Sequence, residues 1–286
     1  AAAGRLRRRA LSCCSRGLMA VAEGDKVTLV DVEQLVPANN PGGGSQLPAD
    51  KSAIKFLSRS SARFEVFHVA FNPAHEAYLA VAGFRDCQVY TLSARGEVLD
   101  RLAVAGDASG GGQIVQVAWL PGSQSHLLVA SDACLRIFDL ARDAISPVYY
   151  ATLATEDVIC AVAVGQGPGG MAKLLVMSSG GAVLCEDFDP RAEPDGEPRI
   201  MCHTLEVPPR LAGLQGSGIH LSPATRTLLL SYEDGTSAAG QLDASLSELR
   251  VLRVLGAGPG ARPSVWAQWE PILPGGGGGG AEGAGA

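Results

Sequence analysis

Three stretches of this chain repeat one plan: "GLMAVAEGDKVTLVDV" at 17–32, "AYLAVAGFRDCQVYTL" at 77–92 and "AWLPGSQSHLLVASDACLRIFDL" at 118–140. Each sets short apolar runs beside a few turn-forming residues. Runs this short are strand-sized rather than helix-sized, and their β-branched and aromatic content favours a pleated surface. The connections are as short as hairpin loops, so neighbouring strands are expected to be antiparallel.

The same reading extends along the chain. "FEVFHVAF" (64–71), "YLAVAG" (78–83), "CQVYTL" (87–92), "IVQVAWL" (114–120), "HLLVAS" (126–131) and "LRIFDL" (135–140) read as strands, with "VYYATL" (148–153) as an outer one. Between them "NPAHE", "GFRD", "ARGE", "PGSQS" and "SDA" supply the Gly, Pro, Asn, Asp and Ser that turns require. When third strands are aligned, "KVTLVDV" (26–32), "CQVYTL", "CLRIFDL" (134–140), "GAVLCEDF" (181–188) and "TSAAGQL" (236–242) recur roughly every 50 to 60 residues. That is near the four-strand period of a propeller blade, stretched by loops. The expectation is an all-β chain: a partial β-propeller of WD-repeat type, with about four to five four-stranded antiparallel blades stacked on one another.

The propeller is expected over residues 11–273, with Gly/Pro/Ser-rich loop insertions at 36–50, 106–112 and 188–198. Residues 1–10 form a basic flank around "RLRRR" (Arg5 to Arg9), and 274–286 a Gly/Ala-rich tail. Both ends are expected to be disordered, the tail because it can bury almost nothing against the entropy of ordering. No segment carries a convincing amphipathic helix.

Net charge −6 and a pI near 5.4 argue against nucleic acid as the main partner, which needs clustered cations. The seven cysteines, Cys13, Cys14, Cys87, Cys134, Cys160, Cys185 and Cys202, show no C-x-x-C spacing and read as reduced, mostly buried residues of a cytoplasmic protein. Peripheral association with membranes is the alternative location. No apolar run approaches the roughly 18 residues of a spanning helix. "ALSCCSRGLM", interrupted by Arg16, makes a poor signal-peptide core.

Motifs that could carry chemistry all have structural readings. Gly165, Gly167 and Gly170 fit G-x-G-x-x-G, but the following "AKLLVMSSGG" is a strand rather than the helix a phosphate loop needs. His68, His75, His126, His203 and His220 are scattered singly, with no metal-ligand spacing; His68 is expected to be packed or half-exposed on its strand rather than metal-bound. Ser217 in "GSG" lacks a nucleophile elbow. Glu186 with Asp187, and Glu233 with Asp234, stand at a strand end and in a hairpin turn. Asp31 and Asp139 occupy the Asp of a Trp-Asp repeat and are expected to accept turn hydrogen bonds. Trp119 is expected to fill space between blades; Trp266 and Trp269 lie in a segment that reads as the start of a further strand. No catalytic, cofactor-binding or metal-binding residue is assigned, and no cofactor is expected.

From Arg63 to Leu153, "YLAVAGFRDCQVYTL", the "WLPGSQ" turn and "IFDLARDAISPVYYATL" resemble a segment of the giant ubiquitin-ligase family called BIG in plants and Pushover or calossin in animals. The likeness is weaker over 18–37 and 171–242 and absent in the Gly-rich tail. The resemblance implies a non-catalytic piece of a much larger E3 ubiquitin-protein ligase. That family is thought to recognise destabilising N-termini through a zinc-bound UBR box and, in plants, to affect auxin transport. Zinc would then sit in the UBR-box and C-terminal modules, whose Cys/His arrays do not occur in these 286 residues. The implied partners are other segments of the same polypeptide and protein substrates or adaptors. Two further readings are an independent WD-repeat adaptor binding a peptide or protein, which needs a more complete ring, and a propeller enzyme, which needs charged side chains converging on the channel.

Overall fold

The computed structural model describes residues 9–32, 55–104, 112–193 and 197–256. Their strands form five sheets. Blade 1 contains β1 (Leu11–Cys13), β2 (Leu18–Glu23), β3 (Lys26–Asp31) and β4 (Lys55–Ser61); blade 2 contains β5 (His68–Phe71), β6 (Tyr78–Ala82), β7 (Cys87–Leu92) and β8 (Val98–Val104). Blade 3 contains β9 (Ile114–Trp119), β10 (His126–Ser131), β11 (Cys134–Asp139) and β12 (Tyr149–Leu153). Blade 4 has β13 (Ile159–Gln166), β14 (Ala172–Ser178) and β15 (Val183–Phe188), and blade 5 has β17 (Gly216–Ser222), β18 (Thr227–Tyr232), β19 (Ser237–Leu242) and β20 (Leu249–Leu255). The remaining strand, β16 (Arg199–Met201), stands between blades 3 and 4. Helix is confined, among the described residues, to single 3-10 turns at Pro168–Gly170 and Pro209–Leu211.

The strands expected from apolar runs fall where the sequence places them, except that "FEVFHVAF" (64–71) is strand only over its last four residues, His68–Phe71. Within each blade the ladder is antiparallel and follows chain order, as hairpin-length loops require. The second and third strands of blades 2, 3 and 4 are apolar on both faces because each of these blades is sandwiched between two others. In blade 3, five of the six residues in β10 and five in β11 are buried. Outer strands differ: β8 runs with five consecutive exposed residues.

Blade 4 departs from the four-strand plan. Its ladder holds three strands, because Arg199–Met201 pairs in parallel with β12 of blade 3. The chain then crosses back: Cys185 N–H donates to His203 O (2.8 Å), Leu205 N–H donates to Val183 O (2.7 Å), and Leu184 bridges Thr204. One seven-residue stretch thus covers the sheet edges of both blades. It follows the 188–198 loop; Pro190, Pro194 and Pro198 in that loop lack amide donors and cannot extend a ladder there. Residues 194–196, all of the 36–50 insertion, the 106–112 insertion except Gly112, the flank through residue 8, Trp266, Trp269 and the tail lie outside the described residues.

Four interblade cores serve the five blades. They join blade 1 to 2, 2 to 3, 3 to 4, and 4 to 5; among the described residues none joins blade 5 to blade 1. Each interface buries large side chains from the later blade, such as Leu79 and Tyr90, or Leu127 and Phe138, all 0% exposed. Burying one such side chain is worth roughly 1.5–3 kcal/mol. A glycine makes one junction possible: Gly216 of blade 5 lies so close to blade 4 that a Cβ there would stand 2.2 Å from Ser178 O.

Candidate functional site

The sequence motifs land in structural roles. Gly165 ends β13 and Gly167 and Gly170 form the hairpin to β14, so no helix N-terminus faces them. The Gly165 position is instead a close approach between blades: a Cβ there would lie 2.5 Å from Leu246 Cδ1 and 2.8 Å from Leu221 Cδ2. Asp139 Oδ1 accepts from Ser125 Oγ (2.6 Å) and from the Ala141 N–H (3.2 Å), as expected for a turn acceptor. Asp234 accepts from the Thr236 N–H and hydroxyl at 2.8 and 2.9 Å. Trp119 is 6% exposed between blades 2 and 3, and its indole N–H donates to Ala70 O at 2.9 Å.

The histidines do not converge. His126 accepts or donates with Ser123 Oγ at 2.8 Å, and burial lowers its pKa, opposed by Asp139. His203 lends its carbonyl to the blade 4 edge, and His75 packs against Tyr78 with ring centroids 4.5 Å apart and the planes tilted by 35°. His220 sits half-buried on β17. His68 is 1% exposed on inner strand β5, and neither ring nitrogen reaches hydrogen-bond geometry. Burial first, and the nearby Arg9 charge second, bring its pKa down to about 3; the Ile114 backbone opposes them weakly. It is therefore a neutral, packed imidazole at physiological pH.

All seven cysteines are free, but only Cys87, Cys134 and Cys185 are buried; Cys14 and Cys160 are half-buried, and Cys13 and Cys202 are exposed. The expectation of mostly buried thiols is thus met by three of the seven. Burial pushes Cys87 up to about 12 and raises Cys185 as well, so neither is a poised nucleophile. Among the described residues no group of three His, Cys, Asp or Glu side chains is arranged to hold a metal ion.

Two polar features escaped the sequence reading. Gln116, 4% exposed on inner strand β9, clasps the neighbouring inner strand: its Nε2 donates to Val162 O (2.6 Å) and its Oε1 accepts from Val162 N–H (3.2 Å). By pairing register, Gln116 opposite Ala130 stands where His68 stands opposite Ala82. For Gln116, a lone polar residue inside "IVQVAWL" was the available signal. The second feature is a polar cleft of about 570 Å³ beside the β16 crossover, lined by Lys173, Cys185, Asp187, Arg199, Cys202 and His203 among others. Lys173, 5% exposed at its side chain, binds Asp187 Oδ1 at 2.8 Å and Ser247 Oγ at 3.1 Å. Arg199 reaches Glu186 at 3.7 Å and lies over the Tyr149 ring at 5.6 Å. Glu186 and Asp187 are thus each committed to a different cation, rather than facing each other as an acid and base pair would.

What the arrangement can do is hold blades together and present surface. The charged groups of the cleft are paired with one another, and the inner strands offer a clasp rather than a nucleophile beside a base. No protein-family model matches the chain. It is 38% identical over 281 residues, 96% of its length, to the rice "Auxin transport protein BIG", of which that match is 5%. It is 29% identical over 252 residues, 86% of its length, to 4% of a probable E3 ubiquitin-protein ligase of Dictyostelium discoideum. The chain therefore spans about one twentieth of the length of the curated relatives it matches. Among solved structures, the β-propeller domain of Cps50 (Swd1) from Myceliophteria thermophila superposes with a TM-score of 0.61 at 16% identity, over 88% of this chain and 73% of that one. The fold is that of a β-propeller. No helix among the described residues is long and apolar enough to cross a membrane.

Proposed function

Because the chain belongs to the BIG family, which it matches over one β-propeller segment, we propose that it is a non-catalytic scaffold and protein-interaction segment of a BIG-type E3 ubiquitin-protein ligase. In this reading the blades place substrates or adaptors, and other segments of the same polypeptide, for ubiquitin-dependent degradation of proteins bearing destabilising N-termini. Zinc and transfer chemistry belong to modules elsewhere in such a ligase. The location is cytoplasmic, and in a plant the ligase would act on auxin transport.

The observation that carries this reading is the match of 96% and 86% of the chain to a small part of two long relatives, one of them named as a probable E3 ubiquitin-protein ligase. The commitment of the polar groups described above to blade building supports it. The test is removal of residues 9–256 from the full-length gene product, followed by the half-life of reporters carrying destabilising and stabilising N-termini. The expected result is a longer half-life for the destabilised reporter at unchanged ligase abundance. An unchanged half-life would contradict a role in substrate placement.

A further inference from the structure

The outward face of blade 1 has the composition of a face built to receive another blade. Pairing registers fix which residues share it: Leu11, Val21, Thr28 and Arg59 form one cross-strand row, and Cys13, Met19, Val30 and Phe56 the next. The opposite face carries Ala20 and Leu29, which enter the core shared with blade 2. On the outward side Leu11 is 54% and Phe56 73% exposed, Cys13 is exposed, and Met19 and Val21 are half-buried, while Val30, between Met19 and Phe56 in its row, is already buried.

Position by position, this face matches one whose occupant is known. The hairpin pairs Ala22↔Val27 and Ala82↔Cys87 align blades 1 and 2 without a gap, so Met19, Val21 and Val30 stand where Leu79, Val81 and Tyr90 stand. Those three are each 0% exposed because blade 1 covers them. The internal interface between blades 2 and 3 follows a rule of large on small. Trp119, Leu127 and Phe138 of the later blade seat on Ala80, Ala82 and Cys87 of the earlier one. Apolar sheet faces of this kind stack on another sheet at close-packed density, which is why a blade does not stand alone.

We propose that the outward face of blade 1, centred on Met19, Val21 and Phe56, is a blade-to-blade interface whose occupant is a further four-stranded blade of the same, longer polypeptide. The face that such a blade presents is apolar at the positions of Ala80, Ala82 and Cys87, as the faces of blade 2 towards blade 3 and of blade 3 towards blade 4 are. Two observations favour this occupant over a second copy or an unrelated protein. The five-blade arc leaves more than a quarter of the matched propeller chain uncovered, and the curated relatives are about twenty times longer than this match. The inference rests on the reading of the chain as part of a longer ligase, which the mass of the gene product on a denaturing gel tests separately.

Cys13 reports on the face directly, because a blade seated there would cover its thiol. The experiment is alkylation of Cys13 at mildly alkaline pH, resolved from Cys14 by tandem mass spectrometry. It is run on the full-length gene product, on the isolated 286-residue chain at two concentrations, and on both after denaturation. The expected result is labelling at least tenfold slower in the full-length protein than in the isolated chain, with equal rates once denatured. Equal rates in the two folded proteins would overturn the proposal. So would protection in the isolated chain: at every concentration it assigns the face to the chain's own residues, and only at the higher concentration it assigns it to a second copy.

Discussion

Blades 3 and 4 stand side by side, yet only one follows the plan written in its sequence. Blade 3 keeps four antiparallel strands and is tied to blade 2 by the Trp119 indole and by Asn72 Nδ2 donating to Gln124 O at 3.0 Å. Blade 4 has lost its own outer strand to a crossover, and β16 closes the edge of blade 3 instead. The difference lies in the connection after the third strand. In blade 3, nine residues separate Asp139 from Tyr149; in blade 4 a Pro-rich segment intervenes. The core of a blade is thus carried by its inner three strands, and the outer strand is free to be exchanged.

If that division of labour holds, damage should scale with distance from the interblade cores. The largest effect is expected from Trp119→Ala, which leaves a cavity between blades 2 and 3 and strands the Ala70 carbonyl; a loss of about 3–5 kcal/mol in urea unfolding is expected. Gly216→Ala comes next, because its Cβ would collide with the Ser178 carbonyl and with Met177 Sδ at 2.7 Å. Overpacking of this kind costs about 1–3 kcal/mol, read as a lower unfolding midpoint. Gln116→Ala should cost a similar or slightly smaller amount, about 1–3 kcal/mol, since the Val162 amide and carbonyl lose their partner in a buried place. Ile200→Ala in the crossover strand, 65% exposed, should change stability by less than about 0.5 kcal/mol. A larger loss there than at Gln116 would break the comparison.

His68 adds a pH arm to the same ordering. Its pKa in the folded chain, about 3, lies below its ordinary value of 6.5, so the unfolded chain binds more protons between those values. The stability that the neutral imidazole contributes is present above about pH 6.5 and is lost as pH falls towards 3. Urea midpoints at pH 7.5 and pH 5 should therefore fall further apart in the native protein than in His68→Leu. Equal differences would mean that His68 titrates normally.

Much of this architecture is readable from residue pattern alone, and the exceptions have physical causes. "CQVYTL" and "HLLVAS" coincide with β7 and β10 because a strand buried on both faces is a short apolar run bounded by turns. The outer strands β4, β8 and β20 leave no such trace: "KFLSRSS" and "VLDRLAV" are mostly exposed, so nothing selects alternation. The exchange at β16 is unreadable because strand pairing across blades depends on where a loop delivers the chain. The polar clasps were missed for a related reason. Gln116 and Lys173 sit inside apolar runs, and their partners, Val162 and Ser247, are 46 and 74 residues away. Only the fold brings them together.

The central claim is that these residues build and present a scaffold rather than carry out ubiquitin transfer. Its most direct test is single-turnover discharge of a ubiquitin-charged conjugating enzyme by the full-length gene product, with and without residues 9–256. Discharge is expected to proceed at the same rate in both proteins, while ubiquitylation of a protein substrate falls in the shortened one. A tenfold or greater loss of discharge on removing the blades, from a gene product that remains folded, would contradict a non-catalytic role for these residues.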